Sequence, residues 1–224
     1  MMGIDAVVDE DSTLKQTEEF VKGRLSGESS GHDWWHIHRV SRLAVEIGKA
    51  EGADLFIVQL AALLHDIDDY KLVGDSDGGE PRRAREWLER LGVDGEAADH
   101  VCRIIKEISF KGAKVSSSMT TKEGMVVQDA DRLDAIGAIG IARTFAYGGA
   151  RGRAIYDPAV EPVQHASFEE YQKNTGPTIN HFYEKLLLLK GLMNTPTAKR
   201  IATGRHEFME QFLERFCKEW EGEA

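Results

Sequence analysis

Residues 54–66 read DLFIVQLAALLHD. Wound as a helix, this stretch is apolar on almost every face, whereas a helix at the surface of a globular domain keeps one polar side toward water. It therefore has to be enclosed by other elements. Its end is of the opposite character: His65, Asp66, Asp68 and Asp69 place four ionisable side chains within five residues. Such groups are buried only with a charge partner or a metal ion. The segment predicts a central buried helix that ends either in a solvated turn or in half of a site.

The rest of the chain supplies helices for the enclosure. Thr13 with Gln16, Thr120 with Glu123 and Ser167 with Glu170 each fit a capping box, in which a hydroxyl and a carboxylate or amide satisfy the first unpaired N–H groups of a helix. Pro81 and Pro196 suit first-turn positions. The spacing predicts helices over roughly 13–25, 34–51, 54–68, 81–91, 95–109, 121–147, 168–191 and 196–220. No alternating strand pattern competes with them. With 224 residues and 42% hydrophobic content, one sizeable core is expected. We therefore read a single all-α domain over 1–224, with the first 30 or so residues as an added helix or a tail.

A net charge of −10 repels phosphate backbones and anionic membrane surfaces, and no lysine/arginine-rich stretch offsets it. Neither nucleic acid nor membrane is an expected partner. Nowhere do 18 uncharged apolar residues follow one another, and MMGIDAVVDEDSTLK lacks a basic region followed by an apolar run. Cys102 and Cys217 stand apart without CxxC spacing, which suits a reducing compartment. The cytoplasm is expected, and the oligomeric state stays open, with a homodimer among the options.

Helical spacing selects partners for His65 and Asp66. In GHDWWHIHRVSRLAVEIG, His36 shares a face with Val40, Leu43 and Ile47, so it points inward, whereas His38 lies with Ser41 and Arg42. His32 reaches the same site only if the helix begins that early. In EGMVVQDADRLDAIGAIGIARTF, Asp131 shares a face with Val127, Ala135 and Ala138, and a carboxylate on that stripe needs a cation to meet it. Asp134 is read instead as half of an ion pair with its neighbour Arg132. Together His36, His65, Asp66 and Asp131 form a His/His/Asp/Asp set on three helices. Such a set suits manganese first, with iron, cobalt or zinc close behind and magnesium less favoured because it prefers oxygen ligands.

The order H…HD…D resembles the HD superfamily of metal-dependent phosphohydrolases, with His36, His65, Asp66 and Asp131 at its four ligand positions. HDWWHIHRV, LAALLHDIDD, IIKEISFKG, VVQDADRLDAIGAIGIARTFAYGG, HFYEKLLLLKGLMNT and RHEFMEQFLERF are further similar to a bacterial subfamily of small all-helical HD hydrolases, over roughly residues 31–220. The resemblance implies an HD-type helical bundle and a nucleotide substrate. It favours pyrophosphate release from (deoxy)nucleoside triphosphates, with nucleoside monophosphate dephosphorylation or a non-catalytic nucleotide-binding regulatory domain as alternatives. Alarmone hydrolases carry Glu-Asp at the fourth and fifth positions after the histidine; here those positions are Asp69 and Tyr70.

On that reading, Asp68 or Asp69 orients or deprotonates the attacking water. Cations meet the non-bridging phosphoryl oxygens, where charge spreads in the transition state. Loop placement favours Lys71, Lys111, Arg151 and Arg153, the last two in the glycine-rich GGARGRAIYDPAVEPVQHA at 148–166. Trp34, Trp35, Phe110 and Tyr147 lie beside the motifs and are placed either to stack on a base or to pack in the core.

Overall fold

The computed structural model describes residues 9–25, 33–68, 81–108, 119–163 and 175–223. These residues form an all-α fold in which no strand occurs. Packing groups them into two compact units, the first holding 9–108 and 119–127, the second 128–223.

In the first unit the apolar segment forms α3 (Leu55–Leu64), with Ile57, Val58, Leu60, Ala61, Ala62, Leu63 and Leu64 all buried. Each large side chain so enclosed contributes about 1.5–3 kcal/mol. Asp54 starts the helix, its carboxylate accepting the N–H groups of Phe56 at 2.9 Å and Ile57 at 3.3 Å. α3 packs against α1 (Glu10–Leu25), α2 (Trp34–Glu51) and α5 (Gly95–Ile108), and α5 packs in turn on α4 (Arg82–Arg90). Gly48 on α2 lets α3 come close: a Cβ there would lie 3.0 Å from the Leu55 side chain. α1 buries Thr13, Thr17, Val21 and Leu25, and it meets α4 where Phe20 stacks on Trp87 at 3.9 Å and the Trp87 indole N–H donates to Thr17 Oγ1 at 3.0 Å.

Caps shift by a residue or more from their expected places. α1 starts before Thr13, with Asp9 accepting the N–H of Ser12 at 3.3 Å. α6 (Lys122–Asp134) starts under Thr121, which accepts from Gly124 N–H at 3.2 Å, while Glu123 accepts the N–H of Asp54 at 3.0 Å. Several side chains can satisfy the same orphan N–H groups, and tertiary contacts choose among them. The Ser167–Glu170 pair lies outside the described residues.

The helix expected over 121–147 is two helices, α6 and α7 (Gly137–Ala150). Gly137 takes φ +75°, which ends the right-handed path, and the Arg205 side chain occupies the space where a Cβ would sit, 2.9 Å away. Of the helix expected over 168–191, the described part is α8 (Asn180–Glu184) followed by a 3₁₀ turn over Leu186–Leu192. The tighter winding eclipses positions i and i+3, and Leu186 and Leu189 are both buried. α9 (Pro196–Trp220) begins as read from Pro196, with Thr195 Oγ1 accepting the N–H of Ala198 at 3.2 Å. Phe182, fully buried, is ringed by Phe145 and Phe212 at 6.1 and 5.8 Å. No helix among the described residues is long and apolar enough to cross a membrane.

Candidate metal centre

Two short-range decisions of the backbone create the site. Asp33 accepts the N–H of His36 at 3.0 Å, so α2 starts at Trp34 and His36 falls in its first turn, on the face that also buries Ile37 and Val40. Trp35, between two buried neighbours, is 60% exposed. α3 stops at Leu64, short of the expected 68, so His65 and Asp66 stand in the turn that follows. His36, His65 and Asp66 are all buried.

Their donor atoms converge. His36 Nε2 lies 3.3 Å from His65 Nε2 and 3.4 Å from Asp66 Oδ2, and His65 Nε2 lies 3.5 Å from Asp66 Oδ1. The other nitrogen of His65, Nδ1, is 2.9 Å from the Ala62 carbonyl oxygen. A carbonyl only accepts, so Nδ1 carries the proton and Nε2 presents a lone pair. Two imidazole nitrogens and a carboxylate are thus buried within 3.5 Å of one another, and neutral imidazole with carboxylate is a donor set that divalent cations take. The residues present therefore fit a divalent cation, and the Ala62 carbonyl holds the His65 ring in the orientation a ligand needs.

The other expected residues divide. Asp131 sits half-buried on α6, one turn beyond Val127. Asp68 does not stand free in an acidic turn: its carboxylate accepts the N–H groups of Arg83 at 3.2 Å and Ala84 at 3.1 Å, capping α4 from outside that helix. Arg151 and Arg153 both lie over the Tyr147 ring, at 5.3 and 5.6 Å from its centroid. Asp69, Lys71 and Lys111 lie outside the described residues, as do His32 and Phe110. Trp34 is core, and Tyr147 is exposed. Asp134 pairs with Arg143 at 2.6 Å, and the Arg132 guanidinium donates to the Leu192 carbonyl.

Two further groups escaped the sequence reading. Asp129 is fully buried, and burial pushes its pKa up against the hydrogen bonds from Asn194 and Thr195 and the nearby Arg132, which pull it down. Its place two residues before Asp131 in QDAD was the available signal. His181, on α8, has its pKa lowered to about 3, first by burial and then by Lys185 and Arg153. Between pH 6.5 and about 3 the unfolded chain takes up a proton there that the folded chain refuses. Stability then falls with decreasing pH through that window, by up to about 1.4 kcal/mol per pH unit from this group. Urea midpoints between pH 5 and 7 should fall less steeply with acidification in His181→Asn than in the parent, and parallel curves would refute the assignment.

The model of the HD domain family matches residues 34–136. The uncharacterized protein YpgQ of Bacillus subtilis is 44% identical over 213 residues, 93% of this chain and 96% of its own length. The chain belongs to the HD superfamily. The crystal structure of an HD-superfamily hydrolase from Bacillus thuringiensis aligns over 95% of this chain and 98% of its own, with TM-score 0.75 and 47% identity. That of YpgQ in complex with ADP aligns over 94% of this chain and all of its own, with TM-score 0.74 and 42% identity. HD domains bind divalent metals, and this HD protein offers His36, His65 and Asp66 as a His/His/Asp cluster for one. By family it is a metal-dependent hydrolase.

Proposed function

We propose that this HD protein is a nucleotide phosphohydrolase that releases pyrophosphate from (deoxy)nucleoside triphosphates. The observation that carries the metal-dependent part is the buried meeting of the His36 and His65 Nε2 atoms with the Asp66 carboxylate, with the His65 tautomer set by Ala62. Asp131 is the fourth ligand on this reading, as the H…HD…D order of the sequence implies. We take manganese as the working metal. Bound there, such an ion supplies Lewis acidity toward a water and a phosphoryl oxygen.

The remaining tasks belong to the chain. His36 and His65 would hold the ion through imidazole lone pairs, and their burial keeps bulk water from competing for the site. Asp68 or Asp69 positions the attacking water; Asp68 has part of its accepting capacity committed to α4. Lys71, Lys111, Arg151 and Arg153 receive the non-bridging oxygens, with Tyr147 supporting both guanidinium groups. The nucleotide reading is supported by YpgQ, crystallised with ADP, a ligand with the base, sugar and phosphoryl chain of such a substrate. We read residues 1–224 as one functional domain working in a reducing interior, in keeping with the free thiols of Cys102 and Cys217.

Incubation with nucleoside mono-, di- and triphosphates in Mn²⁺, Co²⁺, Mg²⁺ or chelator, with products read by phosphorus NMR, tests the proposal. Pyrophosphate with monophosphate is expected, in a metal-dependent reaction. Orthophosphate as the only phosphorus product besides nucleoside would move the scissile bond. No cleavage with any metal would replace turnover by nucleotide binding alone.

A further inference from the structure

The last two turns of α6 are fastened on one side. Asp129 Oδ1 accepts the backbone N–H of Asn194 at 2.8 Å and its Nδ2 at 3.0 Å; Oδ2 accepts the backbone N–H and the hydroxyl of Thr195, both at 2.8 Å. Asn194 Nδ2 also donates to Gln128 Oε1 at 3.0 Å, and Arg132 donates to the carbonyl of Leu192. One tetrapeptide, 192–195, thus holds three residues of the helix, and Thr195 simultaneously caps α9. At the helix end, Arg205 donates to the Leu133 carbonyl, and Arg143 donates to the Asp134 carboxylate and carbonyl.

We propose that Asp129, through Asn194 and Thr195, is the positioning residue for the metal ligand Asp131. This rests on the metal-centre reading above. Asp129 and Asp131 are two residues apart and so point about 200° away from each other around the helix; the clamp grips the back of the element that presents the ligand. At a side-chain radius of about 5–6 Å, a rotation of about 10° carries a carboxylate by about 1 Å, twice the roughly 0.5 Å tolerance of a coordination site. A fully buried carboxylate with four hydrogen bonds resists that rotation, because turning the helix breaks several bonds at once and leaves charge unpaired.

The test is Mn²⁺ titration of the full-length protein by calorimetry, well below the melting temperature. The parent is measured first, and Mn²⁺ binding by it is the check on the metal centre itself. Asp129→Asn is then expected to weaken Mn²⁺ binding about 10–100-fold, the usual effect of losing a partner that orients a ligand. Asn194→Ala, which removes only the two Nδ2 bonds, should give a smaller loss in the same direction, and it carries the test if Asp129→Asn does not fold. Leu213→Ala, a buried change elsewhere in the second unit, should lower stability and leave the Mn²⁺ affinity at the parent value. A parent that binds Mn²⁺ alongside folded Asp129→Asn and Asn194→Ala variants of unchanged affinity would overturn the positioning role while leaving the metal centre intact.

Discussion

His65→Ala is expected to remove turnover and metal together. The substitution deletes the Nε2 lone pair that lies 3.3 Å from His36 Nε2 and 3.5 Å from the Asp66 carboxylate. It leaves two donors of the cluster described in the first unit where three stood. Because the ion supplies several kcal/mol of transition-state stabilisation, kcat/KM should fall by about three orders of magnitude or more. Folding should survive, since the hydrogen bond of the His65 ring to the Ala62 carbonyl contributes about 1 kcal/mol. Asp131→Ala should behave in the same way. Metal content by plasma emission spectroscopy, read beside kcat/KM and a melting curve, checks both variants. Full activity retained in either one would sink the assignment of that residue.

The largest effect on stability is expected at Phe182→Ala. The ring is fully buried and lies between Phe145 and Phe212, with Phe212 continuing to Phe216 at 6.0 Å. Truncation loses the transfer energy of the ring and opens a cavity that surrounding aromatics, held on different elements, fill only in part. The cost should be about 3–5 kcal/mol, a drop in Tm of roughly 6–20 °C for a chain of this size. Phe208, on α9 but 48% exposed, is the comparison: Phe208→Ala should stay within about 0.5 kcal/mol of the parent. Equal losses at the two positions, by denaturant titration, would contradict the aromatic core described for the second unit.

What the sequence disclosed about the site came from periodicity. His36 was distinguishable from His38 because a 3.6-residue repeat puts it with Val40 and Ile47, and in the structure both of those residues are buried with it. The HD pair was conspicuous because it ends an apolar run that has no solvent face. Local rules failed where a partner is distant in sequence. The space beside Gly137 is filled by Arg205, and the clamp on Asp129 depends on Asn194 and Thr195; these are contacts that no local window contains. Asp68 illustrates the same point on a shorter scale. In sequence it looks like one more acid of a turn, yet it caps a helix that begins well beyond it. The ion pair read for Asp134 chose Arg143, from the next helix, over nearby Arg132, because helical side chains two residues apart diverge by about 200°.

The seclusion of α3 has a consequence for synthesis. Its ten residues, LFIVQLAALL, leave the ribosome after α1 and α2 but ahead of α5, which forms part of their cover. At about 5–20 residues per second, the interval is on the order of seconds. During it, an uncharged apolar surface is open to other nascent chains, and the hazard grows with their concentration. Recovery of folded protein should therefore depend on expression rate and chaperone supply more steeply than its equilibrium stability would suggest.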